Sequence, residues 1–386
     1  MFTPDEIPDI KSRIIYRVAE DQRLLEELRA DVRPMASESR TIKPRTATSI
    51  SLVASDGGNN QIAFDPFYLQ LVRVVDSCGK KLFLDLISHS TDTEALSKEQ
   101  FNKKEGPTPL GKMMTDLGVD PPLLSELCYA IPSPELIKKH PEKINPSWVQ
   151  AYRDLCEWAV LYDLIRNTTF SNNTLIVKDG PLRNALINRK YFTKWKQLIG
   201  DTIDNIYQKD RRRVFLVGLF KHSKVFTRYQ LAMSLEQTLP PGEPRYVRVP
   251  RELEAKSYLW EEFSYNLGPE GSGREAPNYV AGDLYFVRFG PRSGDPVWAV
   301  DIYSRQKDFA SEIFGYLLAD AINGFPVPFY PRCLQQAHEH AEVVGFDYDI
   351  LQEEIVKAIR NSLPVEKQMI MEALRFNTDV SMRRYQ

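Results

Sequence analysis

The chain has 386 residues, 42% of them hydrophobic, with 50 Lys and Arg against 52 Asp and Glu and a net charge of −2. A length of this order fits one large elaborated domain or two ordinary ones with a sizeable core. The balanced charge excludes a protein that coats nucleic acid through bulk charge but leaves room for a local basic groove.

Four scattered cysteines, Cys78, Cys128, Cys156 and Cys333, form no CxxC pair, which argues against a zinc knuckle or redox dithiol. The opening MFTPDEIPDIKSR is acidic and polar, unlike a secretory signal peptide. No apolar run approaches the roughly 18 residues needed to span a bilayer. The expectation is a cytoplasmic protein with reduced thiols.

In chain order, residues 8–35 place Ile10, Ile14, Ile15, Val18, Leu24, Leu25 and Leu28 at helical spacing, predicting one amphipathic helix suited to an arm or dimer contact. With the polar linker SESRTIKPRTATS it makes an N-terminal arm over 1–48, ahead of a main domain over 49–360. Strand ISLVAS is expected to end at Asp56, followed by strands in FYLQLVRVVDS and KKLFLDLIS. Residues 90–147 read as an irregular insertion of short helices and loops. SWVQAYRDLCEWAVLYDLIRN is a helix with Ser147 placed as N-cap. Strand TLIVKDG, the basic helix in RNALINRKYFTKWKQLIGDTIDNIYQK and the buried strand of RRRVFLVGLFKHSK follow. Residues 237–278, rich in Gly and Pro, read as a second insertion. Strands YVAGDLYFVRFG and PVWAVDIY precede three helices, and 361–386 reads as a helical tail. Strands and helices intermixed around one core predict an α/β fold with a mixed central sheet, flanking helices and insertions.

Two apolar strands run into a carboxylate and then a turn residue, Asp56 before Gly57 and Asp179 before Gly180. The carboxyl edge of an open α/β sheet is where ligands bind, and a following glycine lets the backbone turn sharply. The competing reading of each Asp-Gly is a plain turn dipeptide. Two carboxylates hold Mg²⁺ or Mn²⁺ only weakly, so a third oxygen donor is sought. Glu157 lies in the apolar stretch LCEWAVLYDLI and must be paired, protonated or ligating. Its competing role is an i−4 ion pair with Arg153, and Asp163 is the alternative acid.

Lys221 ends the strand VFLVGLF, where its ammonium can stabilise phosphate charge or simply snorkel to water. Tyr330 sits between Pro328 and Pro331, and His338 follows on the next helix as a metal ligand, proton carrier or ordinary helix-surface histidine. The HEH triplet lacks the spacing of a zinc HExxH. No GxxxxGK[ST] and no G-x-S-x-G occurs, which argues against P-loop ATP hydrolysis and a serine elbow.

These pieces, SDGG, an acidic helix, VKDGPL, a strand ending G-x-x-K and YPRCLQQAH, resemble the NurA nuclease family over about residues 50–345. The resemblance implies a ribonuclease-H-like core and a manganese-dependent DNA exonuclease, possessing or lacking single-strand endonuclease activity, with Mg²⁺ as the alternative ion. It also implies a homodimer working with a HerA-like hexameric ATPase in DNA end processing or anti-phage defence. By it, Asp56, Glu157 and Asp179 bind metal, with His338 as a further ligand, and Lys221 and Tyr330 complete the catalytic set. Two departures stand out: DGG replaces the family's DGS, and the stretch from Glu157 to Asp179 is longer, which keeps Asp163 open.

Contacts to a DNA backbone are expected from Arg189, Lys190, Lys194, Trp195 and Lys196, and from Arg211, Arg212 and Arg213, because interleaved aromatics and cations suit single strands. The competing reading is a helix with a solvated charged face. Competing functions are an RNA-directed nuclease or phosphotransferase on the same core, and a catalytically silent adaptor of the ATPase.

Overall fold

The computed structural model describes residues 6–45, 50–64, 67–102, 106–257, 279–342 and 346–365. The N-terminal apolar positions form two helices, α1 (Glu6–Glu20) and α2 (Gln22–Glu38), where the sequence predicts one. The break is slight: the bonds from Asp21 N to Arg17 O (3.1 Å) and from Leu25 N to Asp21 O (3.2 Å) keep the helical pattern through the joint.

Next come β1 (Arg40–Thr41), β2 (Ile50–Phe64), β3 (Phe67–Asp76) and β4 (Lys81–Ser88). β2 does not end at Asp56 as expected, but its pairing with β5 (Asn173–Asp179) does stop at Ser55, opposite Lys178. Glycine adopts extended backbone as well as turns, so Gly57 and Gly58 need not stop a strand.

Residues 90–147 form short helices, α3 (Thr93–Glu99), α4 (Pro109–Leu117), α5 (Leu124–Leu127) and α6 (Pro134–Lys139). Their starts are written in the sequence: Asp92, Thr108 and Ser133 cap the amides of Glu94, Gly111 and Leu136. Proline opens α4 and α6, where a missing N–H costs nothing. The chain continues through α7 (Trp148–Asn167), β5, α8 (Arg189–Asp210), β6 (Val214–Phe220), α9 (Lys224–Leu235), β7 (Arg245–Arg248) and α10 (Arg251–Ser257). It ends with β8 (Gly282–Arg288), β9 (Val297–Tyr303), α11 (Ala310–Ala321), α12 (Arg332–Ala341) and α13 (Phe346–Ser362). Within the expected insertion at 237–278, β7 pairs with both β1 and β8, while residues 258–278 lie outside the described residues. The expected tail helix lies largely outside them too.

The chain divides into two units. The first comprises residues 1–55 and 161–336. Its strands run in the order β1-β7-β8-β9-β6-β5, with the start of β2 beside β5. β2, β5 and β6 are parallel to one another, whereas β6–β9, β9–β8, β8–β7 and β7–β1 are antiparallel, so the sheet is mixed. Every residue of β6 and β8 is buried, as expected of strands covered on both faces. α2 and α9 pack Val32, Met35, Val225 and Tyr229 against Val247, Leu284 and Phe286. α8 buries Phe192, Trp195, Ile199 and Ile203 at helical spacing.

The second unit comprises residues 56–160 and 337–386. It holds the remainder of β2, the antiparallel β3–β4 pair, α3–α6 and most of α7, with Ile355 and Ile359 of α13 packed beside Leu69. A buried polar chain runs from Thr108 to Gln100 (2.8 Å), Gln100 to Tyr152 (3.2 Å) and Tyr152 to Asp85 (2.6 Å). Among the described residues no helix is long and apolar enough to cross a membrane.

Candidate active site

β5 delivers Asp179 at its last position. The parallel register pairs Asp179 with Leu219 of β6, so Lys221 stands two residues beyond that partner, at the same carboxyl edge. Gly180 then turns the chain with φ +114°, a conformation that suits glycine, while its N–H donates to Leu219 O at 2.8 Å. The turn lies so close to β6 that a Cβ on Gly218 would collide with the Gly180 carbonyl oxygen.

Three side chains meet at this edge. Lys221 Nζ is 3.6 Å from Asp179 Oδ2, and Tyr330 Oη donates to Asp179 Oδ1 at 3.4 Å. Lys221 Nζ also lies 5.0 Å from the centre of the Tyr330 ring, within cation–π reach. Tyr330 is buried and packs on Trp298, with ring centres 4.9 Å apart. Trp298 Nε1 donates to Phe329 O (2.7 Å), and Gln335 Nε2 to Tyr330 O (3.0 Å), fixing the proline-bracketed loop from both sides. Lys221 is 41% exposed, and an ion pair that wet is worth at most about 1 kcal/mol. The pair is not what holds the fold together.

What holds the Asp179 turn is a buried ionic network that the sequence reading missed. Asp301 of β9 accepts from Leu182 N (2.9 Å) and from Arg183 Nε (3.0 Å), with a second, shorter bond to the same guanidinium. Arg183 also donates to Glu254 (2.7 Å), which Arg251 contacts in turn before reaching Asp283 at 2.6 Å. Burial raises the Glu254 carboxyl above its ordinary range, against the pull of Arg183 and Arg251. The signal available was the same one used for Glu157: Asp301 is an acid inside the apolar strand VWAVDIY.

Asp56 is in β2, one residue past the last paired position, Ser55, but its side chain lies outside the described residues. Glu157 is buried within the second unit, with Arg153 Nε 3.5 Å from its carboxylate, the i−4 pair weighed above. Asp163 belongs to the first unit and accepts from Asn167 Nδ2 at 2.6 Å. His338 is exposed on α12.

The expected DNA-contacting set splits. Arg189, Lys190, Lys194 and Arg211 are exposed. Trp195 is fully buried and stacked in parallel on Phe192 at 5.8 Å, so its expected stacking on a base is corrected: the ring belongs to the core. Lys196 donates to Val280 O (3.3 Å), and burial lowers its pKa. Arg212 donates to Phe170 O (2.5 Å), and Arg213 lies over the Tyr207 and Phe309 rings, so both tie the α8–β6 junction together.

Asp179 offers the hard oxygen that Mn²⁺ and Mg²⁺ take. Among the described residues, however, no three His, Cys, Asp or Glu side chains gather to hold a metal. The described donors alone fall short of a metal shell.

No protein-family model matches the sequence, and no curated protein matches it. The chain is similar to solved NurA structures. The NurA nuclease from Sulfolobus solfataricus is 14% identical with a TM-score of 0.42, covering 94% of this chain and 98% of its own. A NurA bound to dAMP and manganese is 11% identical with a TM-score of 0.42, over 96% and 100%. A NurA with manganese is 11% identical with a TM-score of 0.39, over 91% and 98%.

Proposed function

We propose that the chain is a nuclease that hydrolyses DNA phosphodiester bonds with a divalent cation, Mn²⁺ or Mg²⁺. The observation that carries this reading is the meeting of Asp179, Lys221 and Tyr330 at the carboxyl ends of two adjacent parallel strands. A carboxylate beside an ammonium and a phenol suits a phosphodiester: Lys221 neutralises charge growing on the phosphate, and the hydroxyl of the buried Tyr330 orients Asp179 or a phosphate oxygen at the edge. By the family resemblance, Asp56, Glu157 and Asp179 would each contribute a carboxylate to the ion, which would supply a water ionised near neutral pH. His338 is assigned a metal-binding or proton-transfer role.

The ribonuclease-H-like core belongs to the same reading. It is supported by the parallel trio β2, β5 and β6 and by the antiparallel pair β3–β4 that follows β2. Exonuclease action, a homodimer, a HerA-like ATPase partner, cytoplasmic location and a role in end processing or phage defence rest on the family resemblance of the motifs. Exposed Ile14, Ile15 and Val18 of α1 suit the dimer contact.

A second reading, a silent adaptor subunit, is favoured by one observation, the pairing of Glu157 with Arg153. Purified protein and its Asp179→Asn variant, assayed on labelled DNA and RNA with Mn²⁺, separate the readings. Loss of DNA cleavage in the variant supports the nuclease. Equal rates in both overturn the assignment of Asp179, no cleavage in either favours the adaptor, and cleavage of RNA alone moves the substrate class.

A further inference from the structure

We propose that Lys178 is a positioning residue for the cleavage reaction: its ammonium clamps the peptide that leaves Asp179 and so fixes where the Asp179 carboxylate stands. The inference rests on the nuclease reading and adds to it a residue that acts through Asp179 rather than on the substrate. Lys178 is buried, one residue before Asp179 at the end of the apolar run of β5. Taking an ammonium out of water costs far more than burying an apolar side chain of similar size. An aliphatic residue at 178 would continue the run TLIV more cheaply, so the charge is kept for what it holds.

Lys178 Nζ donates to Asp179 O at 2.9 Å, and Gly180 N donates to Leu219 O at 2.8 Å. Those two atoms, Asp179 O and Gly180 N, are opposite ends of one peptide group. The group is planar, so holding both ends denies it rotation and holds the Asp179 Cα with it. From that Cα the carboxylate reaches Tyr330 Oη at 3.4 Å and Lys221 Nζ at 3.6 Å. The next carbonyl, Gly180 O, is pressed against Gly218, the register neighbour of Lys178 on β6. Gly218 carries no side chain, which leaves the turn room to fold close to the sheet. Lys178 Nζ follows the turn there, 2.9 Å from where a Cβ on Gly180 would stand. Parallel register brings Asp179 to the sheet edge, and the clamp sets the direction in which its side chain leaves.

Lys178→Met keeps an unbranched stem and removes the donor. Amide hydrogen exchange of the metal-free protein, followed by NMR, reads the clamp directly. Protection of the Gly180 amide is expected to fall roughly tenfold, the worth of one hydrogen bond from a charged donor, while the interior amides of β5 and β6 keep theirs. Cleavage of labelled DNA with Mn²⁺ is expected to show kcat lowered roughly tenfold or more by the misplaced carboxylate, with KM for DNA unchanged. Unchanged protection at Gly180, or an unchanged kcat, overturns the proposal. So does a loss of protection along both strands with a rate that falls only as far as the folded fraction, the behaviour of an ordinary structural lysine. If Lys178→Met fails to fold, Lys178→Leu, also without a donor, gives the same comparison. Should the unmodified protein cut no DNA, the nuclease reading fails on that readout alone, and the exchange at Gly180 still decides whether Lys178 holds the turn.

Discussion

Lys221 reaches Asp179 across two parallel strands, its Nζ 3.6 Å from Oδ2, from a position two residues past the register partner of Asp179. Parallel register makes this geometry nearly automatic: two strands entering one sheet edge side by side must leave their following residues together. The exposure of the lysine limits the pair's contribution to stability, so its value lies in where it puts a positive charge.

Lys221→Ala is therefore expected to change unfolding free energy by less than about 1 kcal/mol while lowering the cleavage rate roughly 100-fold. Denaturant titration and single-turnover cleavage of labelled DNA measure the two effects separately. A stability loss that accounts for the rate loss would make Lys221 a structural residue.

The strands that carry this site were legible because continuous apolar runs bounded by turn residues mark buried strands. TLIVKDG and VFLVGLF appear as β5 and β6, and the carboxyl edge they share follows from where each apolar run ends. What could not be read was pairing at a distance. Nothing in the local pattern joins Arg183 to Asp301, 118 residues away, or puts Trp298 on Tyr330. β7 was hidden for a different reason: four residues between Gly- and Pro-rich stretches give too short a period to stand out. Composition marks Trp195 as a ring beside cations, but helical spacing decides its place: positions 192, 195, 199 and 203 form the buried stripe of α8.

Asp301 is fully buried beneath the Asp179 turn, opposite a guanidinium that is only 3% exposed. Asp301→Ala leaves that charge uncompensated and is expected to cost about 3–5 kcal/mol of unfolding free energy. Replacing both partners with apolar residues, Arg183→Met with Asp301→Leu, is expected to recover a large part of the loss. Chemical denaturation of the three proteins checks this, and a double variant no more stable than the single one would show that the pair's geometry is itself required.

Gly218→Ala tests how closely the turn is pressed onto β6. A methyl there meets the Gly180 carbonyl oxygen and the Leu182 amide, both of them backbone, so the turn must shift. Stability is expected to fall by about 1–3 kcal/mol, as in overpacked cores, with a loss of cleavage larger than that stability loss explains. Unaltered activity would show that Asp179 tolerates movement of its own turn.

Glu94 gives a pH prediction away from the site. Its hydrogen bonds to Lys138 and Lys98 hold its carboxyl at about 2, down from 4.5. A depressed carboxylate contributes stability that is fully present above the unfolded value and is lost as pH falls from about 4.5 towards 2. The carboxyl carbon shift of Glu94, followed by NMR, is expected to titrate near the lower value and to move up in Lys138→Ala. A midpoint already at the ordinary carboxylate value in the unmodified protein would mean the ion pairs do not persist in solution.

Glu157 separates the two readings of the acidic helix. Paired with Arg153 at 3.5 Å inside the apolar run of α7, it is either a structural partner or a ligand that exchanges that partner for a cation. A ligand that binds only the folded state raises the melting temperature by mass action, so Mn²⁺ is expected to stabilise the unmodified protein and to stabilise Glu157→Gln much less. The isosteric amide retains the shape of the side chain, which confines the difference to charge. The same Mn²⁺-dependent shift in both proteins would assign Glu157 to Arg153 alone and pass the third carboxylate to Asp163, whose own Asp163→Asn variant would then lose the shift.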